Sequence, residues 1–244
     1  TMFKGSFVAL ITPMHNNGDI DFTRLKNLIE WQIDQGSNGI VIIGTTSESP
    51  TLSTNERIEI IKTTIAQVNK SVPVIVGTGS NDTRASIENT QIAKDLGADA
   101  ALLIAPYYNK PTQEGLYLHY KAINDAVSIP QILYNNPGRT VCDISPETII
   151  RLSKLENIIG LKECADAERI PSIKAQTENF VLFTGNDPDT AAFIRAGGDG
   201  AISVTANITP NFINKLCSLG LEGNHKQAKL LQEKLQPLNK ALFS

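Results

Sequence analysis

The chain alternates between short apolar runs and segments in which apolar residues recur at helical spacing. The runs are continuously apolar, as in "GIVIIG" at 39–44 and "AALLIA" at 100–105. Such runs are typical of parallel strands that are covered on both faces. Eight of them occur along the chain, at 6–12, 39–44, 73–77, 100–105, 130–135, 157–162, 180–185 and 200–204.

The segments between the runs predict helices. The segment 22–36 places five apolar residues on one helical face, namely Phe22, Leu25, Leu28, Ile29 and Ile33. Gly36, Gly97 and Gly197 follow three such segments, at the point where a helix end favours positive φ. Eight strands that alternate with helices predict an α/β fold, a closed (β/α)8 TIM barrel.

A doubly wound open sheet is the alternative, but no run is followed by the dinucleotide-binding pattern GxGxxG. The segment "GTGSNDTRAS" at 77–86 comes closest and lacks the third glycine. Two further helical segments follow the eighth run, at 209–223 and 224–243. We therefore predict a barrel over 1–222 and the first part of a truncated C-terminal helical extension over 223–244.

Composition narrows the classes of function. The chain has 244 residues and a net charge of −3, with no basic stripe, which argues against nucleic-acid binding. Its apolar runs are far shorter than the roughly 20 residues of a membrane span, and its first residues lack a signal-peptide layout. Three widely spaced cysteines are not a disulfide framework, so we expect a cytoplasmic protein. Three unclustered histidines give no zinc site, and we expect neither a metal nor a cofactor.

Candidate chemistry lies at the C-terminal ends of the strands, where barrels of this kind carry their active sites. A lysine amine that is neutral attacks a ketone and forms a Schiff base, and Lys162 ends the sixth run. Tyrosine and threonine hydroxyls can pass protons, and an arginine can hold a carboxylate. The polar set at the strand ends comprises Thr45, Thr46, Tyr107, Tyr108, Tyr134, Arg139, Lys162, Gly185 and Ser203.

Each of these residues also has a purely structural interpretation. Lys162 could form a rim ion pair with Glu163, and the two tyrosines at 107–108 could pack on the barrel mouth. The threonines at 45–46 could cap the next helix or terminate the strand, and Arg139 could brace its turn. Their convergence on one face of the barrel favours catalysis.

Five motifs make the chain resemble the dihydrodipicolinate synthases, class I aldolases in the wider pyruvate-lyase family. They are "GTTSES" at 44–49, "APYYNKPTQEGLY" at 105–117, "LYNNPGRT" at 133–140, "GLKE" at 160–163 and "GAISVTAN" at 200–207. The resemblance runs from residue 5 to residue 243. It implies condensation of pyruvate with aspartate-4-semialdehyde to 4-hydroxy-tetrahydrodipicolinate, in lysine and diaminopimelate biosynthesis.

The resemblance also implies roles for single residues. Lys162 would form the Schiff base, and Tyr134, Thr45 and Tyr108 would form a proton relay, with Tyr108 reaching into a partner subunit of a homodimer or homotetramer. Thr46, with the Thr45 backbone, would hold the pyruvate carboxylate. The remaining substrate-binding positions would be Arg139 for the carboxylate of the semialdehyde, and the Gly185 region and the Ile202 carbonyl for the shape of the pocket.

The chain departs from the resemblance in several places. Ser47 stands where the family usually has glycine, and a serine would be strained there if that glycine holds a positive φ. The family continues into further helices beyond residue 244. At the interface pocket of lysine-inhibited members, the matching positions are Thr54, Arg57 and Ala85, which predicts weak or absent lysine feedback.

Two other functions stay open at this point. A related lyase acting on a sugar-derived 2-keto acid is one, although Arg139 argues against it. A shortened, catalytically inactive paralogue with a role in assembly or binding is the other. A cluster of large apolar side chains on one barrel-mouth loop, formed by Tyr107, Tyr108, Leu116 and Tyr117, predicts at least a dimer.

Overall fold

The computed structural model describes residues 2–244 and shows a closed barrel of parallel strands. The strands follow one another around the barrel in chain order, and β1 closes it against β8. They are β1 Gly5–Ala9, β2 Gly39–Ile42, β3 Val74–Gly77, β4 Ala100–Ile104, β5 Gln131–Asn135, β6 Ile158–Glu163, β7 Val181–Thr184 and β8 Gly200–Ser203. The predicted (β/α)8 barrel is confirmed, and the open-sheet alternative is wrong.

Helices surround the barrel; most connect successive strands, and the last two follow β8. They are α1 Phe22–Asp34, α2 Thr54–Val68, α3 Thr83–Asp95, α4 Gln113–Ala126, α5 Pro137–Thr140, α6 Pro146–Leu152, α7 Ile170–Ala175, α8 Thr190–Arg195, α9 Pro210–Leu221 and α10 His225–Leu242. The helix ends agree with the glycine pattern, because Gly36, Gly97 and Gly197 have φ values of +91°, +95° and +110°. These conformations carry no steric penalty for glycine.

The apolar side chains divide into layers. One cluster consists of strand residues together with Phe3 and contains no helix residue, so it fills the interior of the barrel. Its members include Phe7 and Phe183, whose rings meet edge to face with centroids 5.0 Å apart. The larger clusters combine strand residues with helix residues such as Leu25 and Ile29 of α1, as the helical spacing predicts. Burying each such side chain stabilises the fold by about 1.5–3 kcal/mol.

Helix α10 packs against the end of the barrel that carries the strand C-termini of β7 and β8. Gln232 donates from Nε2 to the carbonyl of Asp187 at 3.0 Å and accepts from the backbone N–H of Ala191 at 3.1 Å. Asn239 accepts a hydrogen bond of 2.7 Å from the Thr205 hydroxyl. The boundary predicted after residue 222 falls between α9 and α10, and the division into a barrel and an extension stays a prediction.

The structure bears on two of the expectations from composition. Within residues 2–244, no helix combines the length and the apolar character that a membrane crossing needs. Over the same range, no group of three or more His, Cys, Asp or Glu side chains is arranged to hold a metal ion. The three cysteines are free.

Candidate active site

The centre of the candidate site is a buried lysine facing an aromatic ring. Lys162 on β6 and Tyr134 on β5 are register partners, and Phe183 on β7 is the next partner along. Tyr134 and Phe183 belong to the interior cluster, so Lys162 also points into the barrel. Its side chain is only 6% exposed, and its Nζ lies 4.2 Å from the centroid of the Tyr134 ring. The amine is therefore held away from bulk solvent, beside an aromatic ring.

Glu163, the next residue in the chain, does not pair with this lysine. Side chains alternate along a strand, so Glu163 points to the outer face of the sheet, where its carboxylate lies 3.5 Å from Arg169. Among residues 2–244, no carboxylate forms a salt bridge with Lys162. The interpretation of Lys162 as a rim ion pair with Glu163 is therefore wrong.

Gly185 gives the lysine its space at the end of β7. A Cβ at this position would lie 2.7 Å from Cε of Lys162 and 2.2 Å from Sγ of Cys164. Cys164 is also part of the interior layer, two residues beyond the lysine on the same face. Burial raises the pKa of the Cys164 thiol to about 11, so it is a neutral packing group at neutral pH.

Two neighbouring cavities at the barrel mouth join other predicted site residues. A small cavity of about 40 Å³ is lined by Thr45, Tyr134 and Ile104, among others. A larger one of about 340 Å³ is lined by Thr45, Tyr107 and Arg139. Thr45 thus lies between the Tyr134 side and the Arg139 side of the mouth.

The structure excludes helix capping by the threonines at 45–46 and bracing of the turn by Arg139. The N-cap of α2 is Ser53, which forms a capping box with Glu56, so the threonines at 45–46 cap no α-helix. Arg139 is exposed, and over residues 2–244 its side chain makes neither a hydrogen bond nor a salt bridge that would brace the turn. Thr45 is exposed and lines both cavities, whereas Thr46 is half-buried and lines neither.

The loop after β4 presents Tyr108 to solvent. Tyr108 has a left-handed backbone with φ of +75° and is 90% exposed, so its ring does not pack on its own barrel. Non-glycine residues in this conformation often mark functional sites. Leu116 and Tyr117 do not belong to this loop, because they lie on α4. Leu116 is fully buried, and the Arg151 guanidinium covers the Tyr117 ring at 3.4 Å. The predicted four-residue cluster therefore reduces to Tyr107 and Tyr108.

A family model described as the dihydrodipicolinate synthetase family matches residues 2–244. The chain belongs to the dihydrodipicolinate synthetase family. It is 51% identical over 243 residues to the 4-hydroxy-tetrahydrodipicolinate synthase of Coxiella burnetii (strain RSA 493 / Nine Mile phase I), a match that covers 99% of this chain and 83% of that relative.

Solved structures agree with this membership. The chloride-inhibited dihydrodipicolinate synthase from Acinetobacter baumannii, complexed with pyruvate, is 48% identical and superposes with a TM-score of 0.96. The match covers 98% of this chain and 83% of that one. Another structure, described as the first monomeric dihydrodipicolinate synthase variant, is 40% identical with a TM-score of 0.96, and the match covers 99% of this chain and 82% of that one.

Ser47 stands in place of the usual glycine of the family, and the expectation that its backbone is strained is wrong. Ser47 is not among the residues with positive φ. Its neighbour Glu48 has the left-handed conformation instead, with φ of +61°. Ser47 is 2% exposed, and its hydroxyl donates to the carbonyl of Leu10 at 2.6 Å. Its own carbonyl accepts from the Thr12 hydroxyl at 2.8 Å. The serine therefore ties the loop that carries Thr45 to the end of β1.

Sequence reasoning missed a buried acid next to the site. Asp187 follows β7, is 1% exposed, and accepts hydrogen bonds from the Ser203 hydroxyl and from the backbone N–H groups of Val204 at 2.9 Å and Thr205 at 3.1 Å. Burial raises the pKa of this carboxyl, and the charge of Lys162 acts in the opposite direction. The signal in the sequence that could have identified Asp187 was its position as a polar residue just after the end of a strand.

The structure brings some of the predicted site residues together and leaves others apart. It brings Lys162 against Tyr134 and Gly185, and it places Thr45 and Arg139 along adjoining cavities. Ile202 is buried in the interior layer on β8. Thr46 and the 90% exposed Tyr108 line neither cavity.

Proposed function

We propose that the chain catalyses the condensation of pyruvate with aspartate-4-semialdehyde to 4-hydroxy-tetrahydrodipicolinate. The observation that carries the proposal is the buried Lys162 amine, which lies over the Tyr134 ring without a carboxylate partner in the described part of the chain. Membership of the dihydrodipicolinate synthetase family, and relatives near 50% identity named as this synthase, support the choice of substrates.

The amine of Lys162 attacks C2 of pyruvate, and loss of one water gives the Schiff base. Loss of a proton from C3 forms the enamine, whose C3 attacks the aldehyde carbon of the semialdehyde and makes the new carbon–carbon bond. The amino group of the second substrate then attacks C2 and displaces the lysine, which closes the ring. One water is released for each pair of substrates.

The other predicted residues have assignable parts in this sequence. Tyr134, Thr45 and Tyr108 relay protons between the carbinolamine and solvent. Thr46 and the Thr45 backbone bind the pyruvate carboxylate. Gly185 and the Ile202 carbonyl shape the pocket, and the exposed guanidinium of Arg139, which has no acidic partner among residues 2–244, receives the carboxylate of the semialdehyde. We place this reaction in lysine and diaminopimelate biosynthesis in the cytoplasm.

Trapping of the Schiff base tests the proposal directly. Incubation with pyruvate and borohydride is expected to reduce the imine to a stable adduct on Lys162, located by mass spectrometry. Lys162→Ala is expected to give no adduct and no turnover while its circular dichroism spectrum stays unchanged. A wild-type protein that folds but gives no adduct at Lys162 would exclude the proposed activity.

We further propose that the complete catalytic unit is at least a dimer, and in the family manner a homodimer or homotetramer. The exposed Tyr108 ring is in a position to enter the site of a second copy, and that ring is unsupported in the single chain. Mixing Tyr108→Phe with Lys162→Ala subunits should restore activity, because a mixed dimer contains one site with both residues intact. An active monomer in sedimentation, or mixing without recovery despite subunit exchange, would contradict the shared site.

One argument for an inactive paralogue was strain at Ser47, and Ser47 is unstrained. Turnover that depends on Lys162 would exclude that alternative altogether. A panel of sugar-derived 2-keto acids, assayed in the cleavage direction, addresses the related lyase activity, and we expect no cleavage.

A further inference from the structure

A second set of polar residues lies directly behind the lysine and the tyrosine, on the outer face of the same two strands. Asn135 and Glu163 are register partners, one position beyond Tyr134 and Lys162. They are 0% and 1% exposed, and Asn135 donates from Nδ2 to Oε1 of Glu163 at 2.9 Å. Because consecutive side chains point to opposite faces, this bond fixes the backbone from which the inner pair projects.

The Glu163 carboxylate also holds the turn that follows the lysine. Its Oε1 accepts from the backbone N–H of Ala165 at 2.8 Å, and its Oε2 lies 3.5 Å from Nη1 of Arg169. Burial raises the pKa of Glu163, while the hydrogen bond from Ala165 and the charge of Arg169 oppose that rise. A buried carboxylate that loses such partners is costly to the fold, so these bonds constrain the geometry strongly.

Arg169 extends the set to the segment that carries Arg139. Its two terminal nitrogens donate to the two carboxylate oxygens of Asp143, both at 2.9 Å. Asn135 donates from Nδ2 to Asp143 at 2.7 Å and accepts at Oδ1 from the backbone N–H of Ile144 at 3.0 Å. Asp143 lies shortly after α5, the helix that contains Arg139.

We propose that these residues form a positioning network with two separable halves. The pair Glu163–Asn135 sets the amine of Lys162 against Tyr134. The pair Arg169–Asp143 sets the segment that presents Arg139 to the second substrate. None of the four lines the cavities at the barrel mouth, so they act through the residues that they hold. This inference rests on the proposed function and assigns residues to it that the family resemblance did not.

The two halves are expected to fail in different kinetic parameters. Glu163→Ala should slow Schiff-base formation with pyruvate at least about tenfold, because a small misplacement of the reacting amine is costly. Glu163→Gln keeps an acceptor oxygen for Asn135 and Ala165, and should recover most of that rate. Asp143→Ala should instead raise the KM for aspartate-4-semialdehyde about tenfold through a displaced Arg139, with Schiff-base formation within about twofold of wild type.

The measurements are rapid quenching with borohydride followed by mass spectrometry, and steady-state kinetics in each substrate. The control is Glu114→Ala, which breaks the exposed ion pair of Glu114 with Arg151 on α4 and α6, and which should change neither parameter. If Glu163→Ala is not recovered folded, Glu163→Asp shortens the side chain and withdraws its carboxylate from Asn135, while the bonds of Asn135 to Asp143 and Ile144 stay in place. The same slowing is expected.

The outcomes separate this inference from the proposed function. A wild-type protein that gives no Lys162 adduct contradicts the proposed function before any variant is made. A wild-type protein that traps pyruvate, together with a folded Glu163→Ala that traps it at the same rate, overturns the positioning role. Equal losses of both parameters in Glu163→Ala and Asp143→Ala would overturn the division into two halves.

Discussion

Gly185→Ala is a sharp test of the site, because the added methyl group has nowhere to go. Its carbon would lie 2.2 Å from Sγ of Cys164 and 2.7 Å from Cε of Lys162. Non-bonded carbon atoms rest about 3.5–4.0 Å apart. The sulfur must therefore retreat by more than about 1 Å, and the lysine carbon by about 0.8 Å or more. The φ of Gly185 lies outside the left-handed region, so the effect is one of space alone.

The two neighbours differ in how easily they move. The Cys164 sulfur is one bond from the Cβ and packs in the interior layer, whereas the Lys162 side chain is long and rotates about four bonds. The lysine should yield first, and a displacement near 1 Å can reduce the rate of a positioned reaction by about 100-fold. Crowding of the core should also lower the free energy of unfolding by about 1–3 kcal/mol.

The assay is the rate of borohydride trapping with pyruvate, paired with denaturant unfolding. The double variant Gly185→Ala/Cys164→Ala removes the contact with sulfur but not the contact with the lysine carbon, so it should regain stability more than trapping rate. Gly138→Ala is the matched control at the same barrel mouth, because its Cβ would find its nearest neighbour, Oδ1 of Asn136, at 3.6 Å. Trapping by Gly185→Ala at the wild-type rate would refute the reasoning.

Three further predictions concern stability and regulation. Ser47→Gly should lower the free energy of unfolding by about 1–2 kcal/mol in denaturant titration, because it removes the hydrogen bond to the Leu10 carbonyl and frees the backbone; unchanged stability would contradict the bracing role of Ser47. Burial lowers the pKa of His119 to about 4, so the folded chain favours the neutral ring, and stability should fall by up to about 3 kcal/mol as the pH drops from 6.5 to 4. His119→Gln should lack that component of the decline, and an identical pH profile would count against it. Calorimetric titration with L-lysine should show weak or no binding, because Arg57 and Ala85, which stand at positions matching the pocket of lysine-inhibited members, offer a cation and no carboxylate to the lysine ammonium. Saturable tight binding would show that this alignment is wrong.

Local signals allowed most of the fold to be predicted. Continuous apolar runs mark strands covered on both faces, and a glycine after a helix marks a left-handed backbone, whatever the rest of the chain does. Both features depend on a few neighbouring residues. The strand ends and the location of the candidate site followed from the barrel topology, which explains why Lys162 and Tyr134 could be grouped before their contact was known.

Features that depend on register or on side-chain reach were harder to predict. The position of the left-handed residue in the loop at 44–49 moved by one, from Ser47 to Glu48, and this single step reverses the expected strain. The network behind the site joins Asn135 to Asp143 and Arg169, and no sequence spacing indicates which acid an arginine will select. The sequence prediction places Leu116 in a loop, whereas α4 already begins at Gln113, after the Thr112 cap. That cap is one signal among several within "KPTQEGLY", so the start of the helix was hard to locate.

The barrel keeps the neighbouring side chains of Lys162 and Glu163 apart. Two opposite charges side by side in a loop would pair and neutralise each other. On a strand they point to opposite faces, and here the sheet separates them. On the outer side the Glu163 carboxylate forms an ion pair with Arg169, which holds it away from the interior of the barrel. The amine is left facing an aromatic ring and the space above Gly185, which under the proposed function is where the carbonyl carbon of pyruvate would enter.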